Sequence, residues 1–295
     1  MATETRTATA PDGRSLAFAE WGDPNGFPVF SLHGTPGSRF SRYYDEGLYV
    51  EAGVRVITYD RPGYGGSDRH PGRQVVDCVE DVAAIADLLE VERFAVVGGS
   101  GGGPHALAVA ARLPQRVVRA MCAVGIVPYD TEDFDWFEGM DPKNVQELQW
   151  ALDGEAVLLA NLEREAAETL ARVAVDPSKV IGDEYDLPEA DRAELARPER
   201  HDVIRQSVSA SIGDGVWGWV DDDLSFVRPW GFDVAEIRRP IRVTYGTTDV
   251  LVPPSHGEWL ARNVPGAEVV VDDNKGHIPD REAVLRDYAW LADHS

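Results

Sequence analysis

Short apolar runs alternate with segments of helical periodicity over the first 127 residues of the chain. Residues 28–32, 54–59, 94–97 and 117–124 are mostly apolar, as in strands of a sheet that is covered on both faces. Residues 75–89 repeat apolar side chains at spacings of three and four, which predicts a helix. This alternation of strand and helix predicts a mostly parallel sheet with helices on both sides.

Further strands are predicted near both ends of the chain. Segments 3–10 and 15–21 flank Asp12-Gly13, a dipeptide typical of a hairpin turn. The alternation breaks at Pro128 and resumes at Pro240. After Pro240 the pattern predicts strands at 241–245 and 267–271 and helices at 254–264 and 279–292.

Residues 128–232, here called the inserted segment, differ in composition from the chain on either side. They are acidic and rich in tryptophan, and their periodicity is helical. We predict that they form a helical lid on a core made of residues 1–127 and 233–295. The tryptophans predict either packing of the lid onto the core or an apolar or aromatic substrate. The predicted helices are 145–152, 155–175, 188–197 and 201–211, and the tryptophans are Trp136, Trp150, Trp217, Trp219 and Trp230.

Composition narrows the class of protein. The net charge of −23 on 295 residues disfavours nucleic acid and anionic membranes as partners. No apolar run reaches about 18 residues, and residues 1–10 are polar, so a cytoplasmic protein is expected. Cys78 and Cys122 are predicted to be buried and unbridged, and no zinc-type spacing occurs. We expect a small-molecule substrate, no metal or other cofactor, and a monomer or homodimer.

The first chemical candidate is Ser100, in the sequence Gly-Gly-Ser-Gly-Gly at 98–102. A serine in a sharp turn from strand to helix takes a strained backbone, and the flanking glycines remove side chains that would clash there. Such a turn presents the hydroxyl beside a helix N-terminus, whose N–H groups can hold an oxyanion. Taken alone, the turn also fits a phosphate loop, a dinucleotide-binding turn or plain packing. No Gly-Lys-Ser/Thr follows it, and no acidic residue ends a strand about 20 residues later.

Asp249 and His277 complete a candidate triad with Ser100. Each of the three follows a predicted strand, and in a parallel sheet the ligand site lies outside the carboxyl ends of the strands. Their order along the chain, Ser, Asp, His, is the one expected when the serine sits in such a turn. Singly, Asp249 could form a turn or cap a helix, and His277 could lie in a surface loop. Their joint occurrence in this order favours a nucleophile, an orienting carboxylate and a base.

The loop His33-Gly34-Thr35-Pro36-Gly37 follows an early strand and supplies a candidate oxyanion hole. We predict that the N–H groups of Thr35 and Gly101 hold the oxyanion. An ordinary Gly-Pro turn is the alternative for this loop. The remaining histidines are predicted to serve other roles: His33 stiffens its loop, His105 packs on a helix, His256 lies at a helix start, and His70 and His201 are exposed.

Five motifs occur in a familiar order: HGTPGS at 33–38, DRPGYGGSD at 60–68, GGSGG at 98–102, GTTD at 246–249 and Gly-His at 276–277. In these motifs the chain resembles the α/β-hydrolase superfamily over nearly its whole length. The resemblance implies an eight-stranded, mostly parallel sheet with a helical lid after the sixth strand. It is strongest to the serine-dependent esterase and proline-iminopeptidase branch, although iminopeptidases typically read HGGPG and GGSWG.

The resemblance implies a carboxylesterase-like serine hydrolase that cleaves an ester or related carbonyl through an acyl-enzyme. A serine at the nucleophile position disfavours the usual haloalkane dehalogenase and epoxide hydrolase chemistry, which uses aspartate. Two alternatives stay open. One is a non-hydrolytic or C–C bond-cleaving enzyme that uses the same triad. The other is a ligand-binding protein that kept the fold.

Overall fold

The computed structural model describes residues 5–293, in which eight strands form one sheet in the order β1-β2-β4-β3-β5-β6-β7-β8. The pairs β1–β2 and β2–β4 are antiparallel, and all other neighbours are parallel. The predicted fold class is therefore confirmed. The strands are β1 (Arg6–Thr9), β2 (Ser15–Gly22), β3 (Phe27–Leu32), β4 (Val54–Tyr59), β5 (Phe94–Gly99), β6 (Val117–Ala123), β7 (Ile241–Gly246) and β8 (Glu268–Asp272).

Ten α-helices occur within residues 5–293, and they include both those that cover the sheet and those of the inserted segment. The bounds of the helices are α1 (Gly47–Glu51), α2 (Cys78–Leu88), α3 (Gly102–Arg112), α4 (Pro142–Asp153), α5 (Glu155–Val175), α6 (Glu189–Leu195), α7 (His201–Ile212), α8 (Trp217–Phe226), α9 (Pro254–Asn263) and α10 (Arg281–Ala292).

Successive strand residues point to opposite faces of the sheet and enter different apolar clusters. On β5, Val96 packs in the cluster that holds the buried residues of α2, α3 and α9. Its neighbour Val97 packs in the cluster that holds those of α1 and α10. The sheet is thus covered by helices on both faces. A site can therefore form at the ends of its strands, which these helices do not cover.

The inserted segment lies between β6 and β7 and contributes α4 to α8. Buried residues of α5, α7 and α8, including Leu162 and Val220, form a cluster separate from those on the sheet. Phe226 and Trp230, near its end, instead join the cluster on the α2–α3 side of the sheet. Trp136 and Met140, near the start of the segment, belong to that same cluster, so the segment has apolar contacts of its own and packs against the core near both of its ends.

Several elements differ from the sequence-based prediction. The short helix α1 and helix α8 were not predicted, since α1 is only five residues long and α8 contains three consecutive aspartates. Residues 75–77 form a 3₁₀ turn ahead of α2. Residues 3 and 4 of the predicted first strand lie outside the described residues. The helix predicted at 155–175 is confirmed as α5.

No helix in the stretch 5–293 combines the length and the apolarity that crossing a membrane requires. Cys78 and Cys122 are both free and buried, as predicted.

Candidate active site

Ser100 sits in a tight turn between β5 and α3. Its φ is 54°, a left-handed conformation that is costly for a residue with a side chain. Within the turn, the N–H of Gly103 donates to the carbonyl of Ser100 at 2.8 Å, and the N–H of Ser100 donates to the carbonyl of Ala123 on the neighbouring strand β6 at 2.9 Å. A Cβ on Gly98 would lie 2.0 Å from the carbonyl oxygen of Gly102, and one on Gly102 would lie 2.2 Å from that of Leu32. Both positions therefore require glycine.

Asp249 and His277 form a hydrogen-bonded pair. Oδ2 of Asp249 lies 2.7 Å from Nδ1 of His277, and Asp249 is 3% exposed. The other carboxylate oxygen, Oδ1, accepts from the N–H groups of Leu251 (2.9 Å) and Val252 (3.0 Å). Because the carboxylate accepts, the neutral imidazole carries its proton on Nδ1 and has a free lone pair on Nε2. This is the protonation state that a general base needs.

The environment of His277 favours its protonated form. Burial of the ring lowers its pKa, but the charge and hydrogen bond of Asp249, with the charge of Asp191, outweigh this effect. The net result is a pKa above the usual value of histidine.

Ser100, His277, Thr35 and Gly101 line a common cavity of about 460 Å³. The structure thus brings both predicted oxyanion donors to the predicted nucleophile and base, while Asp249 lies behind His277. Much of the remaining wall comes from the inserted segment and is apolar. The wall residues from that segment include Trp136, Trp150, Trp219, Leu148, Val208 and Phe226.

Two tryptophans of the inserted segment lie elsewhere. The ring of Trp217 is covered by the Arg69 guanidinium at 3.6 Å, and Trp230 stacks on Phe232. Packing of the inserted segment therefore accounts for Trp217 and Trp230, while the wall position of Trp136, Trp150 and Trp219 leaves the substrate interpretation open for those three.

Thr35 is fixed beside Gly101 by its hydroxyl. Thr35 Oγ1 donates to Asp222 Oδ2 at 2.7 Å and accepts from Arg61 Nη2 at 3.0 Å. A Cβ on Gly101 would lie 2.4 Å from this hydroxyl, so the two residues are in close contact. Gly101 is also the N-cap of α3, where backbone N–H groups have no partner within the helix. The arrangement keeps the backbone of both predicted donors at the same end of the cavity.

His33 stiffens the same loop. Its Nδ1 donates to the carbonyl of Gly34 at 2.7 Å, and its Nε2 accepts from the N–H of Arg61 at 3.2 Å. Burial, followed by the charge of Arg61, holds the pKa of His33 well below its usual value, so the ring is neutral.

A buried ionic network, which no sequence pattern predicts, joins the Thr35 loop to α8. Asp222 is fully buried and accepts from Arg61, Arg73, Tyr64 and Thr35. Burial raises the pKa of Asp222, but the charges of Arg61 and Arg73 outweigh this and hold it well below its usual value. Asp222 stands in a run of three aspartates, and such runs are typical of solvated segments, so the sequence pattern does not indicate a buried network here.

Replacing Asp222 is expected to destabilise the protein strongly. Asp222→Asn removes the carboxylate and leaves Arg61 and Arg73 buried without their counter-charge, which costs about 3–5 kcal/mol. Urea unfolding measures the loss. Asp214→Asn, an exposed aspartate just ahead of α8, is the matched control and should unfold like the wild type. Equal free energies of unfolding for the two variants would show that the network contributes no stability.

The other buried histidines are unsuited to act as the base. His105 Nδ1 donates to the Gly101 carbonyl at 2.9 Å, and burial lowers its pKa to about 3. His256 accepts from the N–H of Val127 at 3.2 Å and bonds the carbonyl of Trp136, and burial lowers its pKa to about 4. His70 and His201 are half-buried, which corrects the prediction that they are exposed.

Two acidic side chains of the inserted segment, Glu147 and Asp223, also line the cavity and were missed by the sequence analysis. Trp219 Nε1 donates to Glu147 Oε1 at 2.8 Å. Among residues 5–293, no donor lies within hydrogen-bond distance of Asp223 Oδ2. Burial raises the pKa of Glu147 to about 7, and burial and the charge of Glu147 raise that of Asp223 well above its usual value. Because the charge of one carboxyl opposes ionisation of the other, the pair favours a state in which the two carboxyls share one proton.

Over the described range 5–293, no group of three or more His, Cys, Asp or Glu side chains is arranged to hold a metal ion.

Comparison with known proteins places this fold and strand order in a family. A sequence profile of the alpha/beta hydrolase fold matches residues 28–279. The chain belongs to the α/β-hydrolase family. A solved α/β-hydrolase fold protein from Nakamurella multipartita superposes with a TM-score of 0.68 over 99% of both chains, at 26% identity.

The curated relatives of this α/β hydrolase carry several different names. A pimeloyl-[acyl-carrier protein] methyl ester esterase from Aromatoleum aromaticum is 29% identical over 78% of this chain and 83% of its own length. A proline iminopeptidase from Xanthomonas citri is 32% identical over 43% of this chain and 41% of its own length. The chain spans less than half the length of the relatives that it matches at above 30% identity.

Proposed function

We propose that the chain is a serine hydrolase that cleaves an ester or related carbonyl of an apolar or aromatic small molecule. The observation that carries the proposal is the His277–Asp249 hydrogen bond of 2.7 Å in a site where His277 lines the same cavity as Ser100. The mainly apolar wall of that cavity supports the substrate class. Residues of α4, α7 and α8 form part of this wall, which supports a lid role for residues 128–232.

In the proposed reaction, Nε2 of His277 takes the proton from Oγ of Ser100 as this oxygen attacks the carbonyl carbon. The N–H groups of Thr35 and Gly101 hold the tetrahedral oxyanion, and Asp249 stabilises the imidazolium. The bond between the carbonyl carbon and the alkoxy oxygen then breaks, and His277 gives its proton to the departing alkoxide. The alcohol leaves, and the acyl group stays on Ser100 as an acyl-enzyme. Water attacks the acyl group with His277 again as the base, which releases the acid and restores Ser100.

A panel of aryl and alkyl esters, turned over in water labelled with oxygen-18, tests this proposal. Hydrolysis places one labelled oxygen in the released carboxylic acid. Elimination leaves the product unlabelled, and C–C bond cleavage would be seen with ketone substrates rather than esters. Tight binding of these compounds with no turnover would favour a ligand-binding protein and contradict the proposal.

A second candidate is an ester or amide substrate that carries a protonated amine. It is favoured by Glu147, which is half-buried, and Asp223, which is buried, two carboxyls on the cavity that form no ion pair with a residue in the range 5–293. A protonated amine placed there would displace the shared proton and supply the donor that Asp223 Oδ2 lacks. Several relatives are named proline iminopeptidases, which is compatible with such a substrate.

Paired substrates test the second candidate. An ester with an amine beside the carbonyl is compared with the same ester in which a methyl group replaces the amine. Because a hydrogen bond to a charged group contributes about 1.5–3 kcal/mol, Glu147→Gln should lower the preference for the amine about 10- to 100-fold in kcat/KM. Glu163→Gln, an exposed glutamate on α5, is the control. A wild-type enzyme that prefers the methyl compound would exclude the amine.

A further inference from the structure

A carboxylate of the inserted segment is bonded to the backbone of the loop that carries His277. Asp191, on the first turn of α6, is fully buried. Its Oδ2 accepts from the N–H of His277 at 2.8 Å, and its Oδ1 accepts from the N–H of Ile278 at 3.0 Å. Both oxygens are therefore occupied by two successive amides of one loop.

The approach of Asp191 depends on a glycine. A Cβ at Gly276 would lie 2.3 Å from Asp191 Oδ2 and 2.5 Å from Cγ of Pro188. Any larger residue would push α6 away from the loop. Gly276 in the Gly276-His277 motif thus has a role that the sequence did not reveal, which is to admit the carboxylate of another segment.

Arg200, in the turn that follows α6, holds Pro279, the residue of the loop after Ile278. Arg200 Nη2 donates to the carbonyl of Pro279 at 2.6 Å, and Arg200 also pairs with Glu194 of α6 at 2.9 Å. Apolar packing accompanies these bonds, since Ile278 packs on a cluster that contains Leu195 of α6. The backbone of residues 277–279 is therefore bonded to α6 and to the turn that follows it.

We infer that Asp191 is a positioning residue, which sets the place and the electrostatics of His277 from the inserted segment. Asp249 fixes the orientation of the imidazole ring, whereas Asp191 fixes the backbone from which the ring extends. The seating of α6 on the sheet and the placement of the base are consequently linked. This inference rests on the proposed function, in which His277 is the base.

Asp191→Asn is the main test, because an amide offers only one oxygen to two N–H donors and carries no charge. We expect kcat to fall about 10²-fold through misplacement of the base by a fraction of an ångström, with KM changed less than about threefold. The charge of Asp191 also contributes to the raised pKa of His277. Its loss lowers that pKa, so the acid limb of the pH profile of kcat/KM should move to lower pH.

Two further variants separate positioning from mere stability. Asp191→Glu keeps the charge and lengthens the side chain, so its acid limb should stay in place while kcat falls about tenfold. Glu189→Gln removes a charge from an exposed residue on the same helical turn and should behave as the wild type. Rates are expressed per active site, as titrated with a fluorophosphonate. If kcat per site and the acid limb of both Asp191 variants match those of Glu189→Gln, the inference is wrong.

An NMR titration of the His277 ring keeps this test apart from the test of the proposed function. Failure of a fluorophosphonate to label the wild type would overturn the serine hydrolase proposal. The ring titration does not depend on turnover. A lower pKa of His277 in Asp191→Asn than in Glu189→Gln supports the role of Asp191, and equal values contradict it.

Discussion

Ser100→Ala is expected to lower kcat/KM by about a millionfold on a well-matched ester, since removing the nucleophile of such a triad removes the covalent route. The residual rate would come from substrate binding and from the oxyanion donors that remain. The backbone at Ser100 has a φ of 54°, which alanine tolerates about as well as serine, so the fold should be retained. Steady-state kinetics with an active-site-titrated wild type as reference measures the loss.

The control for this variant is a serine of the inserted segment, Ser211. Ser211 on α7 also lines the cavity, but its hydroxyl donates to the Val208 carbonyl, so Ser211→Ala deletes the same atom at a position with no role in the proposed bond-making steps. Its kcat/KM should stay within about tenfold of the wild type. A Ser100→Ala protein that matches Ser211→Ala would mean that the covalent mechanism is wrong.

Asp249→Asn should lower kcat/KM by about ten-thousandfold. Asparagine can still accept from Leu251 and Val252 through Oδ1, so the turn after β7 should be retained. Its amide group would face Nδ1 of His277 and favour the tautomer with the proton on Nε2. That nitrogen could then no longer take the proton from Ser100, and the imidazolium would lose its counter-charge.

Asp233→Asn is the matched control, because Asp233 closes a similar turn by accepting from the N–H of Ala235, two residues on. The pH profile of kcat/KM and the rate of fluorophosphonate labelling are measured for both variants. A labelling rate for Asp249→Asn equal to that of Asp233→Asn would show that Asp249 does not orient the base.

The sequence predicts those parts of the protein whose structure depends on neighbouring residues in the chain. Apolar runs and turn chemistry predicted all the parallel strands, and the placement of Ser100, Asp249 and His277 after strands follows from the sheet alone. One oxygen of Asp249 closes a turn, which is one of the two interpretations of this residue, and the other oxygen meets Nδ1 of His277, as the proposed triad requires. Gly103, for which the sequence suggested no role, allows α3 to pack closely on β6, because a Cβ there would lie 2.8 Å from Sγ of Cys122.

The parts that it missed depend on pairing between distant residues. Asp191 lies 86 positions from His277 in the chain, and no periodicity connects them. Asp222 and Asp223 belong to a run of acids that favours a solvated segment. In the structure, however, Asp222 is paired with two arginines and Asp223 lines the cavity. Sequence patterns therefore mispredict burial in this chain at the run of aspartates in α8, a helix that is buried from Gly218 to Phe226.

In the proposed mechanism, Ser100 is a nucleophile activated by His277. Incubation with a fluorophosphonate, followed by intact-protein and peptide mass spectrometry, tests it most directly. We predict a single phosphonyl adduct on the peptide that contains Ser100, formed by the wild type and not by Ser100→Ala. An unlabelled wild-type protein, or an adduct on another residue, would contradict the account.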